Sequence, residues 1–144
     1  MSVDSVALTA ATAKSMLELA TPATDRVKIV EWWYEFDGTT STNTPVKIEI
    51  GRFSAAVTTA TAFTPEKFDP AMGTSAVTAK HSTSTEGAGT ADDIIHRRCP
   101  PTSGYHYVAP LGREFTMALS TFWRMRVTAA QAVNITCGVI WEEE

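Results

Sequence analysis

Histidine, cysteine and acidic side chains are the groups of this sequence that could carry out chemistry, and their spacing does not assemble a site. His81, His96 and His106 are widely separated single residues, and no His-x-His pair occurs. Asp92 and Asp93 beside His96 could hold a cation, but acidic pairs ahead of a strand are more often solvated turns. No Gly-x-Ser-x-Gly or phosphate-binding glycine motif is present. The sequence therefore predicts no enzyme activity, no cofactor and no metal site.

The two cysteines are too few for a disulfide scaffold or a four-ligand zinc site. Cys137 falls in an alternating apolar run, where a small buried thiol is expected. Cys99 precedes Pro100 and Pro101 and is expected at a turn. The sequence leaves open whether the two cysteines form a single disulfide.

The four tryptophans could stack against sugars or take part in a protein interface. Trp32, Trp123 and Trp141 share the parity of their apolar neighbours, which predicts that they pack in the core. Trp33 lies between Trp32 and Tyr34 and must point the other way, so it is predicted to face outward as a possible interface residue.

Arg97 and Arg98 form the one basic cluster and are the second possible interface. Two adjacent charges near a strand end are also typical of an ordinary solvated edge, and that alternative stays open.

The composition predicts a folded protein without a nucleic-acid or membrane partner. A chain of 144 residues with 44% hydrophobic and 19% charged residues can bury one core. The net charge of −4 and the scattered basic residues argue against phosphate binding. No signal peptide and no apolar run of bilayer length is visible, so we expect a soluble protein made in the cytoplasm.

Period-two alternation is the main structural signal in the chain. Residues 25–36 read as a strand whose parity changes near Ile29 and Val30, which indicates a β-bulge. After the polar segment 37–44, residues 45–50 alternate cleanly, which predicts a hairpin with the preceding strand.

The last third of the sequence is again strand-like. We expect four strands there, over residues 104–109, 114–119, 121–128 and 132–141. In the third of these, Trp123, Met125 and Val127 form an apolar face, and Arg124 and Arg126 lie on the opposite face. Residues 55–89 are rich in loops, and we expect a binding surface there.

About seven to nine short strands without helices between them predict an all-β protein, an antiparallel β-sandwich of jelly-roll type. This sandwich is expected to span residues 14–144 as one domain. Residues 1–13 are small and polar, and they are expected to form an extended N-terminal arm that orders on a partner.

Several segments together resemble small proteins encoded in the head-gene clusters of tailed bacteriophages. The resemblance rests on a pattern of strands and turns over most of residues 26–142, carried by residues 26–32, 36–39, 45–49, 110–114, 126–129 and 139–142. It implies a decoration, or cement, protein: a structural virion protein on the capsid exterior. It also implies a homotrimer that binds the lattice of major capsid subunits and stabilises their contacts, without catalytic residues.

Two other function classes remain open at this point. The first is a carbohydrate-binding or receptor-binding β-sandwich module that uses the outward Trp33 and the threonine-rich loops. The second is an enzyme of the small metal-dependent barrel class. Saturable sugar binding would favour the first, and bound metal would favour the second.

Overall fold

Strands paired antiparallel form two sheets in the computed structural model, which describes residues 1–37, 44–86 and 91–144. For residues 84 and 91–94 the description covers the backbone alone. The described residues contain eleven strands and no helix. The strands are β1 (Ser2–Leu8), β2 (Ala13–Ala20), β3 (Val27–Phe36), β4 (Val46–Phe53), β5 (Thr59–Phe63), β6 (Thr78–Thr85), β7 (Ala91–Cys99), β8 (Gly104–Val108), β9 (Phe115–Met117), β10 (Phe122–Thr128) and β11 (Val133–Glu143).

The first sheet has the order β1-β11-β3-β8, and the short strand β9 pairs with the other end of β3. Between β3 and β11 the register shifts, because Ile140 lies opposite Glu31 while Trp141 lies opposite Ile29. Val30 is the extra residue at this point. The bulge predicted near Ile29 and Val30 is therefore confirmed.

The second sheet has the order β5-β6-β2-β10-β4-β7. Its edges are β5 on one side and β7 on the other, while β10 is central between β2 and β4. The two sheets stack with their apolar faces together, and the buried side chains of both form one core. This core includes Trp32 and Trp123, with Trp141 packed partly buried against it, as the alternation predicts.

The predicted all-β fold, an antiparallel β-sandwich, is confirmed, and its jelly-roll type stays a prediction. The predicted hairpin between residues 25–36 and 45–50 is wrong. Strand β3 has β11 on one side and β8 and β9 on the other, while β4 lies in the second sheet between β10 and β7. The connection therefore crosses from one sheet to the other; residues 38–43, most of the predicted polar tip, lie outside the described residues.

The start of the chain is extended, and residues 2–8 are a strand of the sandwich. β1 pairs with β11 as the edge of the first sheet, and it buries Val3 and Leu8. The terminal amino group donates a hydrogen bond to the carbonyl of Val139 at 3.0 Å. The chain's own first sheet therefore orders most of the expected arm.

The outer face of β10 carries the two arginines predicted for it, but they differ in exposure. Arg126 is partly exposed, but Arg124 is fully buried. The chain after β4 folds back over this face, where the Arg124 guanidinium lies 4.7 Å from the centre of the Phe53 ring and donates to the carbonyl of Ala55. The second sheet therefore has a covered layer on its outer side as well as on its core side.

Candidate binding surfaces

The outer face of the first sheet presents the predicted interface residue Trp33. On this face, Trp33 lies opposite Gly138 of β11 and His106 of β8, and Glu31 lies opposite Ile140 and Val108. We call these five side chains, Trp33, Glu31, His106, Val108 and Ile140, the Trp33 face. The outward direction predicted for Trp33 from its neighbours is what the strand pairing shows, because Trp32 is buried in the core.

Gly138 explains why the indole ring of Trp33 lies close to the sheet. A Cβ atom on Gly138 would overlap the ring, with Cζ2 nearest and with Cε2 and Cη2 each 2.5 Å away. These nearly equal distances mean that the ring covers the glycine with its flat side. One face of the indole is therefore packed on the backbone, and the other is directed away from the protein.

Polar groups flank this aromatic platform. The Nε2 atom of His106 lies 2.6 Å from a carboxylate oxygen of Glu31, and the His106 ring meets the Trp33 ring edge-on with centroids 6.2 Å apart. Val108 is 56% exposed, and Ile140 is partly exposed. The face thus combines a flat aromatic surface and two aliphatic side chains with one hydrogen-bonded polar pair.

The two predicted basic interface residues have different environments. The Arg97 guanidinium lies 3.6 Å from the centre of the Tyr105 ring, so it joins the edge strand β7 of the second sheet to β8 of the first. Arg98 is exposed, and it lies opposite Lys47 on the outer side of the same sheet. Arg97 therefore contributes to closing the sandwich, while Arg98 is available at the surface.

A cleft of about 360 Å³ opens between the edge strand β7 and the β8–β9 edge of the other sheet. Its apolar walls include Trp32, Ile50, Ile95, Tyr107, Phe115 and Trp123. The exposed Arg113 and the partly buried Glu114 lie at its rim. We call it the edge cleft; its volume is at the small end of the range of ligand pockets.

The edge cleft was not anticipated from the sequence. The inward parity of Tyr105 and Tyr107 on β8 and of Ile95 and Arg97 on β7 was a usable signal, since each pair alternates along its strand. What the sequence did not contain was the pairing order that makes both strands neighbouring edges of different sheets. Only that order shows that their inward side chains face a gap.

A second exposed apolar feature lies in the loop between β5 and β6, residues 64–77, within the loop-rich stretch for which the sequence predicts a binding surface. Phe68 is 86% exposed and Met72 is 65% exposed. The loop has its own hydrogen bonds, from the Met72 amide to the Asp69 carbonyl at 3.2 Å and from Lys67 Nζ to the Met72 carbonyl at 2.7 Å. We call residues 64–77 the Phe68 loop.

The Phe68 loop is anchored at its end to the first sheet. The Glu143 carboxylate accepts hydrogen bonds from the Ala76 amide at 2.8 Å and from the Ser75 hydroxyl. Burial alone would raise the pKa of Glu143, but its hydrogen bonds with Ser75, Ala76 and Trp141 outweigh this and hold the pKa below its ordinary value. Val77, next in the chain, is 3% exposed. Two exposed apolar side chains are thus displayed on a fixed loop.

The groups capable of chemistry do not converge within the described ranges. No group of three or more His, Cys, Asp or Glu residues there could hold a metal ion. Cys99 and Cys137 are both free thiols and buried, and burial raises the pKa of Cys137. The side chains of Asp92 and Asp93, considered above with His96 as a cation site, lie outside the description. No helix in the described part of the chain is long and apolar enough to cross a membrane.

Comparison with known proteins identifies no relative: no protein-family model, curated protein or solved structure matches this chain.

Proposed function

We propose that this protein is a structural virion protein, a decoration or cement protein that binds the outside of a tailed-phage capsid as a homotrimer. The proposal combines the resemblance of residues 26–142 with a β-sandwich of the kind that resemblance implies. The observation that carries it is the Trp33 face. That face lies on the hydrogen-bonded central part of a sheet, where the strands cannot easily move apart, and it presents apolar area to a partner.

Rigid aromatic residues are well suited to such a contact. Large aromatic side chains at the centre of an interface contribute most of its binding free energy, because they bury a large area with little loss of side-chain freedom. Trp33 is already packed on Gly138. Binding would therefore restrict it little further, and most of the gain from burying its outer face would go into affinity.

The proposed mechanism is mechanical rather than chemical. A decoration protein that contacts two neighbouring capsid subunits adds buried area that must be lost before the subunits separate. Many copies act on one particle, so modest individual contacts raise the total cost of rupture. The major capsid protein is the proposed partner, and the virion exterior is the proposed location.

The proposal is tested by capsid stability. Particles assembled from the major capsid protein of the genome that encodes this chain are heated with and without the purified protein, and DNA-dye access or light scattering reports rupture. We expect the rupture temperature to rise with wild-type protein and to stay at the bare-capsid value with Trp33→Ala. An unchanged rupture temperature at saturating wild-type protein would refute the function.

A second candidate, a carbohydrate-binding or receptor-binding module, is favoured by one observation at the same place. The free face of the Trp33 indole lies beside the polar pair His106 and Glu31. Sugars stack their apolar faces on aromatic rings and hydrogen-bond to neighbouring polar groups, so this arrangement suits a saccharide as well as a protein. A glycan array with wild-type protein and with Trp33→Ala separates the candidates, because only the sugar-binding module predicts saturable, Trp33-dependent binding.

A further inference from the structure

We propose that copies of this chain associate head to tail, with Phe68 of one copy seated in the edge cleft of the next. The inference deepens the proposed function, because it names the contact that would form the homotrimer. It uses the Phe68 loop and the edge cleft, which are separate from the Trp33 face.

The first argument is the complementarity of the two surfaces. The edge cleft has aromatic and aliphatic walls, and Ile95 beside it is 40% exposed. A gap of about 360 Å³ can take an aromatic side chain with part of its neighbouring chain. Phe68 is 86% exposed, so the described residues of its own chain leave most of it uncovered. A large exposed aromatic residue and an apolar cleft on one chain are a matched pair.

The second argument is their position. The Phe68 loop follows β5 and leads into β6, while the cleft borders β7 at the other end of the same sheet. Four strand spacings separate β6 from β7, roughly 19 Å. Because the protruding residue and the cleft lie on opposite edges of the chain, two copies would contact each other through different surfaces. Such a contact is called heterologous. Such contacts close into rings when the rotation between copies permits, and a three-membered ring is the proposed trimer.

The third argument is charge. Within the described ranges the guanidinium of Arg113, at the rim of the cleft, has no ion-pair or hydrogen-bond partner. Asp69 follows Phe68 directly, and one of its carboxylate oxygens accepts a hydrogen bond from the Ala71 amide at 2.8 Å, which fixes the carboxylate within the loop. Seating Phe68 in the cleft would bring the Asp69 carboxylate toward Arg113. Complementary charges of this kind guide the orientation of a complex.

The fourth argument is the order of the loop before binding. The Phe68 loop is held by its internal hydrogen bonds and by Glu143 at its end. A surface fixed in advance loses less conformational entropy on association, so more of the apolar burial appears as affinity.

Self-association and the contact are tested by sedimentation equilibrium of the full chain over a wide concentration range. We expect wild-type protein to form oligomers. Phe68→Asp is expected to weaken association by about 30-fold or more, as for the central residue of an interface. Leu119→Asp is the matched control, since Leu119 is 43% exposed and does not line the edge cleft, and it is expected to associate like wild type. Wild-type protein that stays monomeric at millimolar concentration would overturn the inference.

A mixing experiment assigns the two sides of the contact. Phe68→Asp keeps an intact cleft, and Ile95→Asp keeps an intact Phe68, so each variant alone should stay monomeric. Their equimolar mixture should contain a dimer of one copy of each, because one productive contact remains. A mixture that stays monomeric, although circular dichroism shows both variants folded, would contradict the contact.

Charge reversal at Arg113 tests the contact without placing a charge in the apolar wall of the cleft. Arg113→Glu is expected to weaken association by about 10-fold. Arg98→Glu is expected to leave it unchanged, since Arg98 is exposed on the outer side of the second sheet. Equal effects of the two variants would show a general dependence on net charge and would refute the assigned site. A chain that stays monomeric but still raises the capsid rupture temperature would refute this inference and the homotrimer, while capsid binding would stand. An oligomer without effect on capsids would refute capsid stabilisation and leave this inference standing.

Discussion

Arg124 of β10 and Glu18 of β2 lie directly opposite each other in the second sheet, and both side chains are buried. Arg124 Nε donates to a Glu18 carboxylate oxygen at 2.7 Å, and the same oxygen accepts the Val57 amide at 2.8 Å. Glu86 lies 3.8 Å from Arg124 Nη1 on the other side. One buried cation is therefore held between two carboxylates under the chain that follows β4.

Removing the Arg124 cation from this layer should lower the free energy of unfolding strongly. We predict that Arg124→Met destabilises the fold by about 3 to 5 kcal/mol, because Glu18 would remain buried without its hydrogen-bonded charge partner and with only Lys80, 3.9 Å away, as an ion pair. Arg126→Met is the matched control, since the Arg126 side chain is 22% exposed and binds Glu49 nearer the surface. Urea unfolding monitored by circular dichroism gives both values. A loss for Arg124→Met no larger than for Arg126→Met would show that the pair is not an important part of the covered layer.

This buried pair also marks the limit of what the alternation of side chains could predict. Parity correctly placed Arg124 on the face opposite Trp123 and Met125, because side-chain direction alternates strictly along a strand. Parity does not say whether that outer face is solvated. The cover comes from Ala55 and Glu86, which are far from Arg124 in sequence, so a local pattern contained no sign of it.

The same reasoning explains the wrong hairpin. The alternation of β3 and β4 predicted two strands with buried faces, and Tyr34 and Ile48 are indeed buried in one core. Strand pairing depends on which neighbours fill both edges of each strand, and for β3 these come from β8, β9 and β11 later in the chain. Of the candidate surfaces, Trp33 was predictable from its two neighbours, whereas the edge cleft depended on sheet order.

Two glycines give a prediction about close packing on the first sheet. A Cβ on Gly104 would lie 2.6 Å from the carbonyl oxygen of Tyr34, which is backbone and cannot move away. A Cβ on Gly138 would instead meet the indole ring of Trp33 at the surface. We predict that Gly104→Ala costs about 1 to 3 kcal/mol of stability, and that Gly138→Ala costs only about 0.2 to 1 kcal/mol.

The two substitutions also differ in what they do to Trp33. Gly138→Ala should lift the indole from the sheet, which shifts its Nε1–H signal in a proton–nitrogen NMR spectrum. Gly104→Ala should leave that signal in place. A Trp33 signal unchanged by Gly138→Ala would mean that the ring does not rest on the glycine.

Tyr34 predicts a loss of stability at alkaline pH. Burial raises the pKa of its hydroxyl to about 12, and the Cys99 thiol beside it acts in the same direction. An unfolded tyrosine ionises near pH 10, so the unfolded state loses its proton before the folded state does as the pH rises. The contribution of Tyr34 to the free energy of unfolding is therefore complete below pH 10 and falls as the pH rises toward 12. The slope is at most about 1.4 kcal/mol per pH unit. Chemical unfolding between pH 9 and 12 should show a flatter profile for Tyr34→Phe, and Tyr105→Phe is the control; identical profiles for Tyr34→Phe and wild type would contradict this.

Glu143 predicts the opposite dependence at acid pH. The pKa of Glu143 in the folded protein lies below the ordinary value of 4.5. Its contribution to the free energy of unfolding is therefore present above pH 4.5 and is lost as the pH falls through the lowered pKa. Glu143→Gln should reduce the acid slope of unfolding free energy between pH 6 and 3, and hydrogen exchange at Ala76 should become faster at neutral pH. Glu142→Gln, one position earlier on an exposed side chain, should change neither. Slow exchange at Ala76 in Glu143→Gln would show that another contact anchors the Phe68 loop.

The most direct test of the proposed function is sedimentation of the protein with purified capsids built from the major capsid protein of the same genome. We predict that wild-type protein binds to saturation and that Trp33→Ala raises the dissociation constant by at least about 30-fold. Leu119→Ala, which alters a 43% exposed apolar residue outside the Trp33 face, should bind like wild type. Wild-type protein that remains in the supernatant at every concentration would contradict the account, and equal binding of wild type and Trp33→Ala would remove the Trp33 face from it.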